Sequence, residues 1–296
     1  MLRAVGRYMA AFALSWTLTI AIATAQATDT SVCTMENSAG CAAFTLRLTS
    51  GFFVQGDESI DDPAHYPPHL GLEPSKTWGD VDALLKDGSH KLVVFLRHGE
   101  ALHNADKLRV GEKVWEELQQ FLEEYIDAPL TATGIQQAAT AGGMLKEEVE
   151  QRGLKIDAVI VSPLDRTLDT YAGAFKDVSV KSPVIAMELA RETLGVCQCD
   201  RRKPIPPKKE AFPSIDFTKS IPTDDDSWWL PDHRETDAEI EERGRQFMNH
   251  LFYERSERSF VVVSHSGFTR GCLRALGHRY YRPANGEFIP VLLSDN

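Results

Sequence analysis

Three short apolar runs constrain this chain more than any other feature. They are Lys91-Leu92-Val93-Val94-Phe95, Asp157-Ala158-Val159-Ile160-Val161 and Ser259-Phe260-Val261-Val262-Val263. Each is rich in β-branched or aromatic residues and lacks polar alternation. Such runs read as strands covered on both faces, the habit of parallel sheets flanked by helices. Helical patterns lie between them, which predicts a three-layer α/β/α sandwich with a mainly parallel central sheet. In open α/β sheets ligands bind beyond the carboxyl ends of the strands, so the residues after each run matter most. They are Leu96-Arg97-His98-Gly99-Glu100, Ser162-Pro163-Leu164-Asp165-Arg166 and Ser264-His265-Ser266-Gly267. A guanidinium fork suits phosphate, an imidazole can attack phosphorus, and glycine at 99 would leave room for an incoming group. A lone histidine after a strand is more often structural than catalytic. Complementary groups at three strand ends reverse that expectation.

The remaining composition narrows the class. The chain has 296 residues and a formal charge of −11. That length suits one large α/β domain or two small ones, and an acidic chain is a poor nucleic-acid binder. An anionic substrate would need a local positive pocket. Arg3 and Arg7 precede an uncharged apolar stretch from Met9 to Ala23, and Ala25-Gln26-Ala27 fits a small-x-small cleavage rule. A secretory signal over residues 1–27, cleaved after Ala27, is expected, with export to follow; an uncleaved membrane anchor is the alternative. After cleavage no stable membrane insertion is expected. No Asn-x-Ser/Thr sequon supports secretion. Of the five cysteines, Cys33 and Cys41 could staple a Gly/Ser/Ala-rich segment. A Cys197–Cys199 bridge would be strained, two packed thiols being the plainer reading, and Cys272 reads as a buried thiol. Zinc is not expected, because no paired CxxC or His spacing accompanies them.

Residues 28–296 read as a single domain. An irregular lead-in covers 28–75, with one strand at Ala43–Leu48, and a short helix spans Trp78–Leu85. Further helices are expected at Lys113–Ile126, from Thr131 or Thr133 through Glu150, and at Pro163–Phe175, Asp237–Ser256 and Gly267–Gly277, with strands at Val184–Met187 and Phe288–Leu292. Between Gly195 and Glu235 the pattern breaks down. Pro204, Pro206, Pro207, Pro213, Pro222 and Pro231 exclude long helices there. A structureless insertion of such length suggests a lid over 195–235.

With these residues in view, the chain resembles the histidine phosphatase superfamily, the phosphoglycerate-mutase-like proteins. Arg97-His98-Gly99-Glu100, Asn104, Leu130-Thr131-x-x-Gly134, Ser162-Pro163-Leu164-x-Arg166-Thr167, Arg191-Glu192 and Ser264-His265-Ser266-Gly267 occur in the family's order over roughly Gly51 to Leu293. Gly51-Phe52-Phe53-x-Gln55, His103-Asn104, Asp127-Ala128-x-Leu130-Thr131 and Cys199-Asp200-x-Arg202 look like a fungal-type phosphomutase-like branch. That branch usually carries histidine where this chain has Cys197. The resemblance implies a metal-independent, cofactor-free phosphomonoester hydrolase acting on a small phosphorylated substrate. It makes His98 the nucleophile, with Arg97, Arg166 and His265 clamping phosphate, His265 also catalytic, and Asn104 helping to bind phosphate. Glu192 would be general acid and then base, its pKa raised by burial and the incoming dianion.

Weaker assignments stay open. Glu100, His103 and Arg191 are candidates for the rim. Glu100 could equally be a helix N-terminal carboxylate, and His103 could simply pack. Ser266 would donate to phosphate or, more in keeping with its place, cap a helix. Arg201, Arg202, Lys203, Lys208 and Lys209 form a basic cluster that is either a solvated loop or a recruiter of polyanions. Trp228 and Trp229 would clamp an organic group or anchor the loop. A phosphomutase is the alternative activity. A non-catalytic phosphoester binder and a metallohydrolase built on His98, His103 and Glu100 rank below it.

Overall fold

The unbroken apolar runs are unbroken because helices cover both faces of the sheet they form. A computed structural model describes residues 46–61, 63–180 and 183–295. The expected signal segment and Cys33/Cys41 lie outside them. One sheet holds β1 (Arg47–Leu48), β2 (His90–Arg97), β3 (Ala158–Val161), β4 (Val184–Ala186), β5 (Ile215–Asp216), β6 (Ser259–Ser264) and β7 (Phe288–Ser294). Their order is β1-β7-β2-β6-β3-β4-β5. The β2–β6, β6–β3, β3–β4 and β4–β5 pairs are parallel, while β7 runs antiparallel to β2 and β1.

Helices α1 (Trp78–Lys86), α4 (Ala132–Glu150) and α5 (Asp165–Ala174) lie on one face. Their Trp78, Val81, Leu145 and Leu168 pack with Leu92, Val94 and Leu96 of β2. Helices α7 (Asp237–Asn249) and α8 (Ser266–Ala275) cover the other, where Ile240, Phe247 and Phe268 meet Val93 and Phe95. Alternate β2 residues thus serve opposite cores. Full burial of each such side chain contributes about 1.5–3 kcal/mol. The caps are local: Thr131 accepts from Gly134 N at the start of α4, and Thr236 with Glu239 forms a capping box on α7.

Several boundaries depart from the sequence reading. In place of one helix at Lys113–Ile126 the chain forms α3 (Glu112–Glu117) and two 3-10 turns, Gln119–Phe121 and Glu123–Tyr125, and a helix not expected from the sequence, α2 (Leu102–Val110), precedes them. Gly111, at φ 85°, separates α2 from α3, and Leu118 leaves helical geometry at φ −134°. The helical spacing there was misleading, since Val114, Leu118, Phe121 and Leu122 are exposed while Trp115 and Tyr125 are buried. The helix expected at Asp237–Ser256 ends at Asn249 and continues as a π turn, His250–Glu254.

The 195–235 segment is not structureless. It carries α6 (Ile205–Ala211) and β5, which extends the sheet beside β4. Pro206 and Pro207 lie in the first turn of α6, where a missing N–H costs nothing. Buried ion pairs tie the segment down. Arg202 Nε donates to Glu188 (2.8 Å), Arg191 reaches both carboxylate oxygens of Asp226 (2.8 and 2.6 Å), and Lys208 meets Asp127 (2.6 Å) and Asp165. Two expectations are corrected. The basic cluster is only partly a solvated loop: Arg202 and Lys208 are buried with internal partners, Lys203 pairs with Asp165 (2.9 Å), and Arg201 and Lys209 are exposed. Cys197 and Cys199 are joined in a disulfide, their Cα atoms 5.3 Å apart at the start of the 3-10 turn Gln198–Asp200. Cys272 is a buried free thiol, as expected.

The same charge cluster has a pH signature. Burial, and then the charge of Asp165, push the Asp169 carboxyl from 3.8 up to about 6. The folded chain therefore holds this proton more tightly than the unfolded chain. That advantage is complete at low pH and is lost as pH rises through about 6. Such a displacement is worth about 3 kcal/mol in a fully buried group, and solvent screening at the partly exposed Asp169 reduces it to about 1 kcal/mol. Asp169→Asn should raise Tm by about 2–4 °C near pH 7.5 and change it little near pH 4. Thermal unfolding at both pH values checks this, and a stabilisation equal at both would contradict it.

Candidate active site

Three adjacent parallel strands end together, and this assembles the site. His98 N donates to Ser264 O (2.9 Å) and Ser162 N to Val263 O (3.0 Å), so the chain exits of β2, β6 and β3 are locked side by side. His98 and His265 consequently lie with ring centroids 5.1 Å apart. Both are buried, as is Arg166. Burial first, then the charge of Arg166, hold His98 and His265 well below the ordinary histidine range, so both rings are neutral at neutral pH. His98 Nδ1 lies 2.6 Å from Gly99 O. A carbonyl only accepts, so Nδ1 carries the proton and Nε2 keeps its lone pair. His265 Nε2 is 2.7 Å from Ser162 Oγ.

Arg166 is held by acceptors from the 195–235 segment, donating from Nη1 to Cys199 O (2.6 Å) and from Nη2 to Asp200 (2.9 Å). Arg97 Nη1 donates to Pro283 O (2.8 Å). Burial lowers the Arg97 pKa to about 10, opposed by nearby Glu192. Around this site Arg97 Nε, Arg166 Nε, His265 Nδ1, His103 Nδ1 and Ser266 Oγ are buried without a protein partner. Each such atom costs about 1–3 kcal/mol. Their chemistry matches the oxygens of a tetrahedral anion.

Glu192 arrives from beyond β4 and meets the start of α8. Its carboxylate accepts from Gly267 N (3.2 Å), Phe268 N (3.2 Å) and Thr193 N (2.9 Å). A Cβ at Gly267 would strike this carboxylate, so only glycine allows the approach. Arg243 fixes the backbone beneath it, donating to Arg191 O (2.8 Å) and Glu192 O (3.0 Å). Burial works to raise the Glu192 pKa, but the Thr193 hydrogen bond, the charge of Arg166 and the Gly267 N–H outweigh it. The carboxyl therefore sits below its ordinary value. This corrects the expectation of a raised pKa as far as the free site is concerned.

The other sequence candidates divide. Asn104 Oδ1 accepts from Ala101 N (3.0 Å) and its Nδ2 donates to His103 Nε2 (2.9 Å), which leaves one Nδ2 proton for an anion. His103 lies 6.0 Å from the His98 ring and 6.4 Å from Trp115. Glu100 accepts from Thr131 Oγ (2.7 Å), and its own carbonyl accepts from Thr131 N (2.9 Å). Arg191 is not at the rim; it is fully buried between Glu188 and Asp226. Ser266 does not cap α8, where His265 is the N-cap residue, and its Oγ is buried without a partner. Gly99 does not make room for a ligand, since a Cβ there would strike the Gly134 carbonyl of α4. Trp229 anchors the segment through Nε1 to Cys197 O (2.9 Å), with Arg201 stacked 5.2 Å from its ring.

Among the described residues, His98, His103 and Glu100 do not gather into a metal-ligand group; Cys197, Cys199 and Asp200 do lie together, but the disulfide leaves those cysteines no thiolate to offer. Asp200 and Arg234, paired at 2.7 Å behind Arg166, received no role from the sequence. Asp200 sits in the quoted Cys-Asp motif, which was the one available signal. Arg234 carried none.

Residues 93–283 match the family profile described as histidine phosphatase superfamily (branch 1). The chain belongs to the histidine phosphatase superfamily. Among curated relatives, a phosphoglycerate mutase-like protein of Arabidopsis thaliana is 35% identical over 215 residues, 63% of this chain and 75% of that protein. Phosphomutase-like protein 3 of Candida albicans is 29% identical over 254 residues, 82% of this chain and 78% of its own. Among solved structures, an ecdysone phosphate phosphatase from Bombix mori, crystallised with tungstate, aligns at TM-score 0.48 and 18% identity over 68% of this chain and 88% of that one.

Proposed function

We propose that this histidine phosphatase superfamily member is a phosphomonoester hydrolase working through a phosphohistidine on His98. The observation that carries the reading is the state of His98: neutral, its proton parked on Nδ1 by Gly99 O, and its Nε2 lone pair free beside buried donors that lack protein partners. In the first step Nε2 attacks phosphorus and the bond to the leaving oxygen breaks. Arg97 and Arg166 balance charge on the equatorial oxygens, and the neutral imidazole of His265 serves them as a hydrogen-bond donor. The leaving oxygen takes a proton from Glu192. That carboxyl is ionised in the free site, so the proton enters with the phosphate monoanion, whose second pKa is about 6. In the second step Glu192 accepts a proton from water, the water oxygen bonds to phosphorus, and the P–N bond breaks.

A phosphomutase is the second reading, supported by the mutase-like names of the curated relatives. It differs only in the acceptor, an alcohol in place of water. The experiment follows phosphate released against phosphate transferred, for p-nitrophenyl phosphate and an alkyl phosphate, in the native chain and in Glu192→Gln. Release should dominate. Glu192→Gln should slow the alkyl ester about 10²-fold or more and p-nitrophenyl phosphate, whose leaving group needs little protonation, far less. Equal slowing of both esters would remove Glu192 as the acid, and dominant transfer would replace hydrolase by mutase.

A further inference from the structure

The tautomer of His98 depends on which way one peptide plane faces. The Gly99–Glu100 peptide offers its carbonyl to His98 Nδ1 (2.6 Å) and its N–H, from Glu100, to Gln137 Oε1 (2.7 Å). In a trans peptide these two groups point in opposite directions. Whatever grips the N–H therefore aims the carbonyl. We infer that Gln137, on the second turn of α4, is a positioning residue that sets the protonation pattern of the nucleophile by holding this peptide plane.

The neighbouring plane is held as well. In the His98–Gly99 peptide the carbonyl accepts from Asn285 Nδ2 (3.0 Å) and the N–H donates to Thr170 Oγ (3.0 Å). Glycine at 99 has the backbone freedom to let the second plane rotate against the first. Without Gln137, the remaining hydrogen bond on that plane is the Nδ1 contact itself. The support behind Gln137 is rigid. Gly286 packs against its Cβ and backbone, and Gly134, three residues earlier, lies so close to Glu100 that a Cβ there would strike its carbonyl. Gln137 thus reaches the loop from a helix whose register against it is fixed by close backbone packing. A plane flip would turn the Gly99 carbonyl away, release the Nδ1 proton to Nε2 and occupy the lone pair that must attack.

This inference rests on the reading of His98 as nucleophile, but the tautomer can be measured without catalysis. The test uses 15N-histidine-labelled full chain, with the His98 resonances identified by their loss in His98→Ala. The variants are Gln137→Leu, which removes the acceptor at similar volume, and Gln137→Glu, which keeps one. The native chain should show His98 with the proton on Nδ1. Gln137→Leu should shift it toward an Nδ1/Nε2 mixture and lower kcat about ten- to a hundredfold with KM changed less than about threefold. Gln137→Glu should restore the native nitrogen pattern and most of kcat. An unchanged nitrogen pattern in folded Gln137→Leu overturns the inference, as does failure of Gln137→Glu to restore it. A native chain with this tautomer but no phosphoenzyme would instead remove the nucleophile reading and leave the role of Gln137 in place.

Discussion

His98→Ala is expected to lower turnover of p-nitrophenyl phosphate by at least about 10⁴-fold and to abolish the acid-labile phosphoenzyme seen on rapid quenching. The argument is chemical. Of the three imidazoles gathered at the site, His98 alone has one ring nitrogen tied to a carbonyl and the other available. His265 has its Nε2 against Ser162 Oγ, and His103 has its Nε2 against Asn104. The fold should survive the change, because the loop keeps its backbone bonds to Ser264, Thr170 and Asn285. Retained activity within about tenfold of native, at this expected scale, would show that phosphorus is attacked by something else.

Arg166→Lys should lower kcat/KM about 10²–10³-fold and weaken inhibition by inorganic phosphate. Arg166 uses one Nη on Cys199 O and the other on Asp200, and so presents its Nε edge in a fixed plane. A lysine ammonium is a single point of charge on a flexible stem and cannot meet both acceptors and the anion in that geometry. Asp200 would keep Arg234 as a partner at 2.7 Å, so the loss should be one of affinity and rate more than of folding. Steady-state kinetics with phosphate as competitive inhibitor, alongside thermal unfolding, measure both. Unchanged phosphate inhibition would take Arg166 out of the clamp.

The sheet and the ends of three of its strands were legible because their cause is local. A strand covered on both faces needs an unbroken apolar run, and the group that follows the run must lie at the sheet edge. Val93 and Val94 serve opposite cores, yet both are fully buried, so no polar residue interrupts them. The helix expected over Lys113–Ile126 failed for the converse reason. Its apolar spacing was real, but Leu118 breaks the backbone, and Val114, Leu118, Phe121 and Leu122 face outward. The anchoring of the 195–235 segment was invisible because it is non-local: Arg166 meets Asp200 across 34 positions, and Arg191 meets Asp226 across 35. A cluster of basic residues looks solvated until the carboxylates that neutralise it are placed in space. Gly99 shows a subtler failure, since its smallness serves Gly134 and not a ligand.

The proline-rich stretch that looked like decoration is a foundation. Cys199 and Asp200 steady Arg166, and Asp200 and Asp226 steady Arg191. A guanidinium stranded in a dry interior costs about 3–5 kcal/mol. Attempts to pare this protein to a minimal catalyst by excising the stretch would therefore undermine the anion pocket from below. Swapping in the corresponding piece of another family member would succeed only if the graft brought its own carboxylates for both arginines.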